Sequence, residues 1–342
     1  MKVAWFREFG GPEVLTYEEA PDPEPEPGEA LVRVRATGVN HVDLDMRAGV
    51  SRFPITFPHT LGLEYSGEVA AIRGGGGRVK EGDRVWVFNR IPCGSCEYCM
   101  SGRDNLCVQG GDRGRRVPGG YAQLVTLPVS ALRPMPDHVP FEDAAAAPIA
   151  FGTAWHVLIN RGGLQAGDTV LIQAAGSGIG SAAIQIARHA GATIITTAST
   201  DEKLARAAEM GAHHTINYAR EEFPQRVRDL TGGRGVDLVM EHVGGEVFTK
   251  SLECLKRDGA IVTVGGHSGE VVPFDIIPFF RNEYRLLGSS GATRPELMRV
   301  MEMVFQGAFR PVVSRVLDLS QAAEAHRLVD SRDFFGKVLL TP

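Results

Sequence analysis

Between residues 1 and 128, apolar residues recur in short alternating or β-branched runs separated by Gly- and Pro-bearing turns. Val3–Phe6, Val14–Tyr17, Ala30–Val39, Glu64–Ile72, Asp83–Phe88 and Tyr121–Leu127 carry this pattern and predict strands. The proline-punctuated segment Pro21–Gly28 predicts an extended connection between two of them. Residues 137–161 switch to helical composition and predict a crossing between domains. From residue 169 the pattern alternates. Strands are predicted at Thr169–Gln173, Thr193–Thr197, His214–Ile216, Asp237–Met240, Ala260–Val264 and Arg285–Leu287. Helices are predicted between them at Ser181–Ala190, Lys203–Met210, Glu222–Leu230 and Glu246–Leu255. Such alternation implies a parallel sheet covered on both faces, and six strands complete a doubly wound fold. The rest of the chain predicts a helix near Pro295–Gln306, a strand near Val312–Leu317, a helix near Gln321–Asp330 and a strand Lys337–Leu340. With the parallel sheet already complete, this tail is expected to return to the first domain. The fold class is α/β, a β-rich domain beside a parallel six-stranded sheet.

The segment Gly167–Asp201 organises the second half. Thr169–Ile172 reads as a buried parallel strand, and a turn of small residues follows it: Gly176, Ser177, Gly178, Ile179 and Gly180. A helix with Ala183, Ile184, Ile186 and Ala187 on its inner side comes next, closed by Gly191, and Thr193–Thr197 completes a β-α-β unit. The glycines allow a tight turn and a close backbone approach to a pyrophosphate, and the helix N-terminus offers N–H groups to the same phosphates. A glycine pattern in this strand-and-helix context predicts dinucleotide binding.

At 342 residues the chain has room for two cores. Its 43% hydrophobic and 23% charged content is that of a globular protein. A net charge of −5 argues against nucleic acid or an anionic membrane as partner. No apolar stretch reaches transmembrane length, and the N-terminus lacks the apolar core of a signal peptide, so a cytoplasmic protein is expected. Four of the five cysteines cluster as Cys93-x2-Cys96-x2-Cys99-x7-Cys107. In such a compartment this density argues against disulfides, and four thiolates on one loop close a tetrahedral zinc site with no open position. Cys254, beside Leu252 and Leu255 in a helical segment, is expected to be a buried structural thiol.

Several motifs together resemble those of the medium-chain dehydrogenase/reductase superfamily, which holds the zinc alcohol dehydrogenases and the quinone oxidoreductases. They are Gly38-Val39-Asn40-His41-Val42-Asp43, Leu61-Gly62-Leu63-Glu64-Tyr65-Ser66-Gly67, Gly82-Asp83-Arg84-Val85, the cysteine lobe and the glycine turn. The resemblance covers essentially the whole chain. It implies a GroES-like domain over 1–149 and 293–342, with its zinc lobe at 90–110. It further implies a Rossmann domain over 150–292 and an active site in the cleft between them. Zinc alcohol dehydrogenases hold a catalytic zinc with ligands that here fall at Asn40, Leu63 and near Ile149, none of them a plausible ligand. Asp43 and Glu64, which stand behind the metal in the family, remain. The quinone oxidoreductase branch also has Asn at the position of Asn40 and Thr at that of Thr153.

Without a metal no Lewis acid stabilises an alkoxide, so reduction of an electron-poor acceptor is easier than oxidation of a simple alcohol. Asn40 is expected to donate its amide to a developing oxyanion, against the alternative of a turn-stabilising residue at a strand end. His41 and Asp43, two apart on an extended stretch, would share a face, with His41 orienting the nicotinamide ribose or relaying a proton. His59 is a minor alternative for that role, and a nonstandard metal held by His41, Asp43, His59 and Glu64 stays open. Glu64 reads as a semi-buried carboxylate that is either catalytic or paired within its domain.

NAD-specific enzymes place an acid at the end of the second strand; here it ends Thr197-Ala198-Ser199-Thr200. The quinone oxidoreductase branch uses Ser, Lys and Tyr where this chain has Ser199, Lys203 and Tyr218, so NADPH is favoured over NADH. Two competing readings stay open. Ser199 and Glu202 have capping-box spacing, and Asp201 reaches toward the ribose. Gly265, Gly266 and Ser289 follow the fifth and sixth strands, where cofactor contacts are expected. Lys337 matches a family position near the cofactor, with a surface lysine as the alternative.

The apolar run Val271–Phe280 at the sheet edge predicts a covered surface, hence a homodimer or tetramer through residues 270–290. The expected activity is reduction of a small quinone or α,β-unsaturated carbonyl by NADPH. The alternatives are an alcohol or aldehyde dehydrogenase and a cofactor-binding protein without turnover. The enoyl-thioester reductase branch carries a tyrosine shortly after Asn-x-x-Asp, and Met46–Thr56 has none.

Overall fold

The computed structural model describes every residue of the chain except Gly76. It splits into two compact units, Met1–Ile149 with Thr293–Pro342, and Ala150–Ala292. The chain begins with β1 (Lys2–Phe6), β2 (Thr16–Glu19), β3 (Glu29–Val39), α1 (His41–Ala48), β4 (His59–Thr60), β5 (Tyr65–Arg73) and β6 (Arg84–Val87). The lobe β7 (Arg90–Ile91), α2 (Glu97–Met100) and β8 (Gly111–Asp112) follows, then β9 (Leu124–Pro128), β10 (Leu132–Pro134), α3 (Phe141–Ala146) and α4 (Pro148–Trp155). The second unit contains β11 (Thr169–Ile172), α5 (Gly178–His189), β12 (Thr193–Ala198), α6 (Asp201–Met210), β13 (His214–Asn217) and α7 (Phe223–Leu230). It continues with β14 (Val236–Glu241), α8 (Gly245–Leu252), β15 (Leu255–Thr263), α9 (Ile276–Arg281) and β16 (Arg285–Gly288). The tail α10 (Arg294–Phe305), β17 (Val313–Asp318), α11 (Ala322–Ser331) and β18 (Lys337–Thr341) returns to the first unit.

The spine of the first unit is β3, which pairs antiparallel with β5, β9 and β18 in a sheet ordered β10-β6-β5-β3-β18-β17. Its alternation explains its place: Ala30, Val32, Val34 and Ala36 are buried while Arg33 and Arg35 face solvent. Val32, Val34, Tyr65, Val69, Val85 and Leu127 form one core, and Phe6, Val39, Leu44, Met46, Val329 and Val338 a second. The second unit has a sheet ordered β13-β12-β11-β14-β15-β16, all strands parallel. Its central strands are apolar on both faces because helices cover both, as Val170, Leu171, Ile194, Ile195 and Val239 show.

Three local expectations change. Val14 leaves the predicted strand for a 3-10 turn at Pro12–Val14, because Pro12 pre-sets the first helical φ. His41 and Asp43 lie on α1, not on an extended stretch, so they do not share a face. Cys254 sits buried in the turn between α8 and β15, and Leu255 opens the strand. The two-residue strands β4, β7 and β8 are too short for periodicity to signal them.

Candidate active site and metal lobe

The cysteine lobe is built by turns that Gly94 and Gly102 allow, both in the left-handed region. Cys96 precedes α2 directly. The four sulfurs of Cys93, Cys96, Cys99 and Cys107 lie within 4.8 Å of one another. Cys93–Cys99 is 3.9 Å, Cys96–Cys99 3.5 Å and Cys96–Cys107 3.9 Å. Zn–S bonds of about 2.3 Å set tetrahedral sulfurs roughly 3.8 Å apart, so the four fit a closed zinc site.

In the second unit the glycine turn leaves β11 through Ala174, whose φ of 52° is left-handed. Ser177 caps α5: its Oγ accepts from Gly180 N–H at 2.8 Å, donates to Ala174 O at 2.9 Å and lies 3.0 Å from His242 Nε2. A Cβ on Gly180 would collide with the Ala174 carbonyl oxygen, so the third glycine is there for close helix–strand packing. The turn follows the carboxyl end of β11, whose neighbours β12 and β14 mark the reversal of strand order where dinucleotides bind. Gly265 follows β15 at the same edge, and a Cβ there would lie 2.7 Å from His242 O. Gly266 comes next, beside Gly244. Ser289 follows β16, and its buried Oγ has no hydrogen-bond partner among the described residues. A backbone cradle that side chains would fill, a helix N-terminus and an orphan hydroxyl at the carboxyl edge fit a dinucleotide.

Thr200, not Ser199, is the N-cap of α6, accepting from Lys203 N–H at 3.3 Å, which corrects the Ser199–Glu202 capping box. Asp201 is engaged elsewhere, by Asn217 Nδ2 at 2.7 Å and Arg220 at 2.8 Å. Tyr218, just beyond β13, is 46% exposed. Sequence reasoning missed Glu241 at the end of β14. Its buried carboxylate accepts from the N–H groups of Val243 (2.6 Å) and Gly244 (2.7 Å) and from Thr263 Oγ1 (3.1 Å), and burial raises its pKa. It shapes the loop that carries His242, and the one available signal was a lone acid closing an apolar strand.

In the first unit Asn40, Asp43, Glu64 and Lys337 form one connected set. Lys337 Nζ reaches Glu64 Oε1 at 2.6 Å, Asn40 Oδ1 at 2.7 Å and Val39 O at 3.1 Å. Asn40 Nδ2 donates to Glu64 Oε1 at 3.1 Å, and Ile149 N–H donates to Glu64 Oε2 at 2.9 Å. Asp43 accepts from Asn40 N–H at 2.8 Å and Gly62 N–H at 3.2 Å, and burial pushes its carboxyl up to about 7. Glu64 is fully buried, not semi-buried, and Lys337 is 6% exposed, which corrects the surface alternative. Asn40 stands at the N-cap position of α1. His41 opens the same helix, and Thr153 lies buried in α4, in the second unit. His59 is buried with its Nε2 3.2 Å from Gly114 O, and burial lowers its pKa, so it is not a surface residue. Among the described residues the cysteines form the one cluster suited to a metal; His41, Asp43, His59 and Glu64 are not gathered into one.

Residues 26–137 match the alcohol dehydrogenase GroES-like domain, and residues 178–306 match the zinc-binding dehydrogenase family. A 2-haloacrylate reductase of a Burkholderia species is 31% identical over 97% of this chain and 96% of its own. The chain belongs to the medium-chain dehydrogenase/reductase superfamily. A second relative of this medium-chain dehydrogenase/reductase, the quinone oxidoreductase of Pseudomonas aeruginosa, is 32% identical over 98% of each chain. The crystal structure of an NAD-dependent alcohol dehydrogenase superposes with a TM-score of 0.95 at 40% identity, covering 100% of both chains. This member of the superfamily is an NAD(P)-dependent oxidoreductase with a GroES-like domain and a Rossmann-like sheet.

Proposed function

We propose that this enzyme reduces a quinone or an α,β-unsaturated carbonyl with NADPH and without a catalytic zinc. The observation that carries the reading is the Asn40–Glu64–Lys337 set. Where zinc alcohol dehydrogenases present ligands, this chain presents an amide, Leu63 and a backbone N–H of Ile149, and the Lys337 ammonium supplies the positive charge that Glu64 needs. Bound dihydronicotinamide supplies the hydride. One Asn40 Nδ2–H is held by Glu64, and the second is left to donate to the oxyanion that forms on the acceptor. Lys337 fixes the amide's orientation through Oδ1, so the donor is set before the charge develops. One proton taken up by the reduced acceptor completes the two-electron reduction. The reductase named above for 2-haloacrylate and the quinone oxidoreductase both take electron-poor acceptors by name, which supports the class.

For the cofactor, Ser199 stands free of the helix cap, Lys203 lies in the first turn of α6, Tyr218 directly follows β13, and no acid ends β12. These features favour a 2′-phosphate. Gly176, Ser177, Gly178, Ile179, Gly180, Gly265, Gly266 and Ser289 are the proposed contacts along the rest of the dinucleotide. One structural zinc per chain is proposed for the cysteine lobe, and a homodimer through α9 and β16. The test is an acceptor screen following loss of NADPH absorbance. Turnover of quinones or enones, with one zinc per chain, sustains the reading. Two zincs per chain with NAD reduction by an alcohol would replace it with the second reading, an alcohol dehydrogenase, which the 40% identity to an NAD-dependent alcohol dehydrogenase favours.

A further inference from the structure

At the amino ends of β14, β15 and β16 the second unit carries a cavity of about 480 Å³. It lies at the opposite edge of the sheet from the glycine turn, which follows the carboxyl end of β11. Arg228, Arg234, Lys256, Arg257, Asn282 and Tyr284 line it. Three chain segments bring them together: the end of α7 with the loop after it, the start of β15, and the turn between α9 and β16. Local backbone irregularity shapes this end of the sheet. Pairing of β14 with β15 jumps from Val236–Leu255 to Leu238–Ala260, which lifts residues 256–259 out of register, with Asp258 left-handed at φ 58°.

The charge of this cavity is not balanced. Its lining holds no acidic side chain. Asp237 takes both Arg234, at 2.7 Å, and Lys256, at 2.6 Å. Arg228 donates to the carbonyls of Gly233 (3.2 Å), Glu253 (2.6 Å) and Leu255 (3.2 Å), which hold its guanidinium in place without cancelling its charge. Arg257 is exposed and makes no hydrogen bond or ion pair among the described residues. Four cations thus meet one carboxylate, on a chain whose net charge is −5. Guanidinium groups pair with phosphate oxygens in a bidentate way, and concentrated like charge focuses the field on an anion. The volume suits a small-molecule site, and Tyr284 and Asn282 add an aromatic wall and an amide.

We propose that this cavity binds a small polyanion of the phosphate class, at a site separate from the dinucleotide. The experiment is calorimetric titration of inorganic pyrophosphate into the full chain saturated with NADPH, at low salt. One saturable site per chain is expected, weakening as salt rises. Arg257→Gln, at an exposed residue without partners, is expected to weaken it several-fold, and Arg234→Gln with Arg257→Gln by at least about tenfold. Arg327→Gln, on α11 in the first unit, is expected to leave it unchanged. Three outcomes would each overturn the proposal. They are no saturable binding up to about 10 mM, weaker than any specific site of this charge warrants; affinity indifferent to Arg257→Gln; and binding seen only without NADPH, which assigns the anion to the dinucleotide site.

Discussion

Lys337 governs the electrostatics of the polar set in the first unit. It is the counter-charge of a fully buried carboxylate, Glu64. Lys337→Met is therefore expected to lower stability by about 3–5 kcal/mol, because it leaves that carboxylate buried and unpaired. Urea unfolding at neutral pH measures it, with Lys337→Arg restoring part of the loss. Two buried groups set opposite pH trends. His326 receives a hydrogen bond from Arg47 on Nδ1 (3.1 Å) and lies 3.2 Å from Tyr121 Oη on Nε2; burial lowers its pKa from 6.5 to about 3. The unfolded chain binds the extra proton between those values, so His326 makes stability fall as pH drops below 6.5 toward about 3. Asp43 acts with the other sign. Its folded pKa of about 7 exceeds 3.8, so the folded state binds the extra proton, and stability falls as pH rises through that interval. Asp43→Asn is expected to remove the opposing trend and steepen the rise of stability with pH across the shared window. Unfolding midpoints that keep the wild-type slope would refute this.

At the scale of elements, the turn into α5 is where stability and the proposed cofactor binding meet. Ser177→Ala removes the cap accepted from Gly180 N–H and the contact to His242, at a cost of about 1 kcal/mol. Weaker NADPH binding is expected alongside, read by fluorescence titration against the unfolding midpoint. The cysteine lobe is a separate test. Cys96→Ser is expected to take bound zinc from one per chain toward none, measured by elemental analysis. It is also expected to expose residues 90–110 to protease while the second unit still binds cofactor. Both elements were legible in the sequence, because a Gly-Ser-Gly-Ile-Gly turn and a Cys-x2-Cys-x2-Cys-x7-Cys lobe are local patterns. The N-cap of α6 falls at Thr200, one residue beyond the Ser199 alternative, since Ser199 and Thr200 are both competent caps and β12 runs through Ala198.

For the whole molecule, exposed apolar residues concentrate on one edge of the parallel sheet. Val271 is 90% exposed, Ile276 62% and Phe280 56%, all in the segment that leads into the edge strand β16. A second copy covering this edge would remove both the apolar surface and the unpaired strand. Sedimentation at micromolar concentration is expected to show a dimer, and Phe280→Asp with Leu286→Lys a monomer. Wild-type protein that sediments only as a monomer contradicts the assignment.

The sequence by itself determined the class of both sheets, the glycine turn between β11 and α5, and the thiolate cluster. Each depends on residues close together in the chain, where periodicity and spacing carry the physics. Only the tertiary structure decided the polar set. Lys337 and Asn40 are 297 positions apart, and they meet because β18 pairs antiparallel with β3, Val338 opposite Val39. The same holds for His326 against Arg47, 279 positions away, and for the cationic cavity, which three separate segments assemble. A buried charge reveals its partner only when strand register brings the two together. That is why Glu64 read as semi-buried and Lys337 as a lysine near the cofactor or at the surface, when together they form one ion pair.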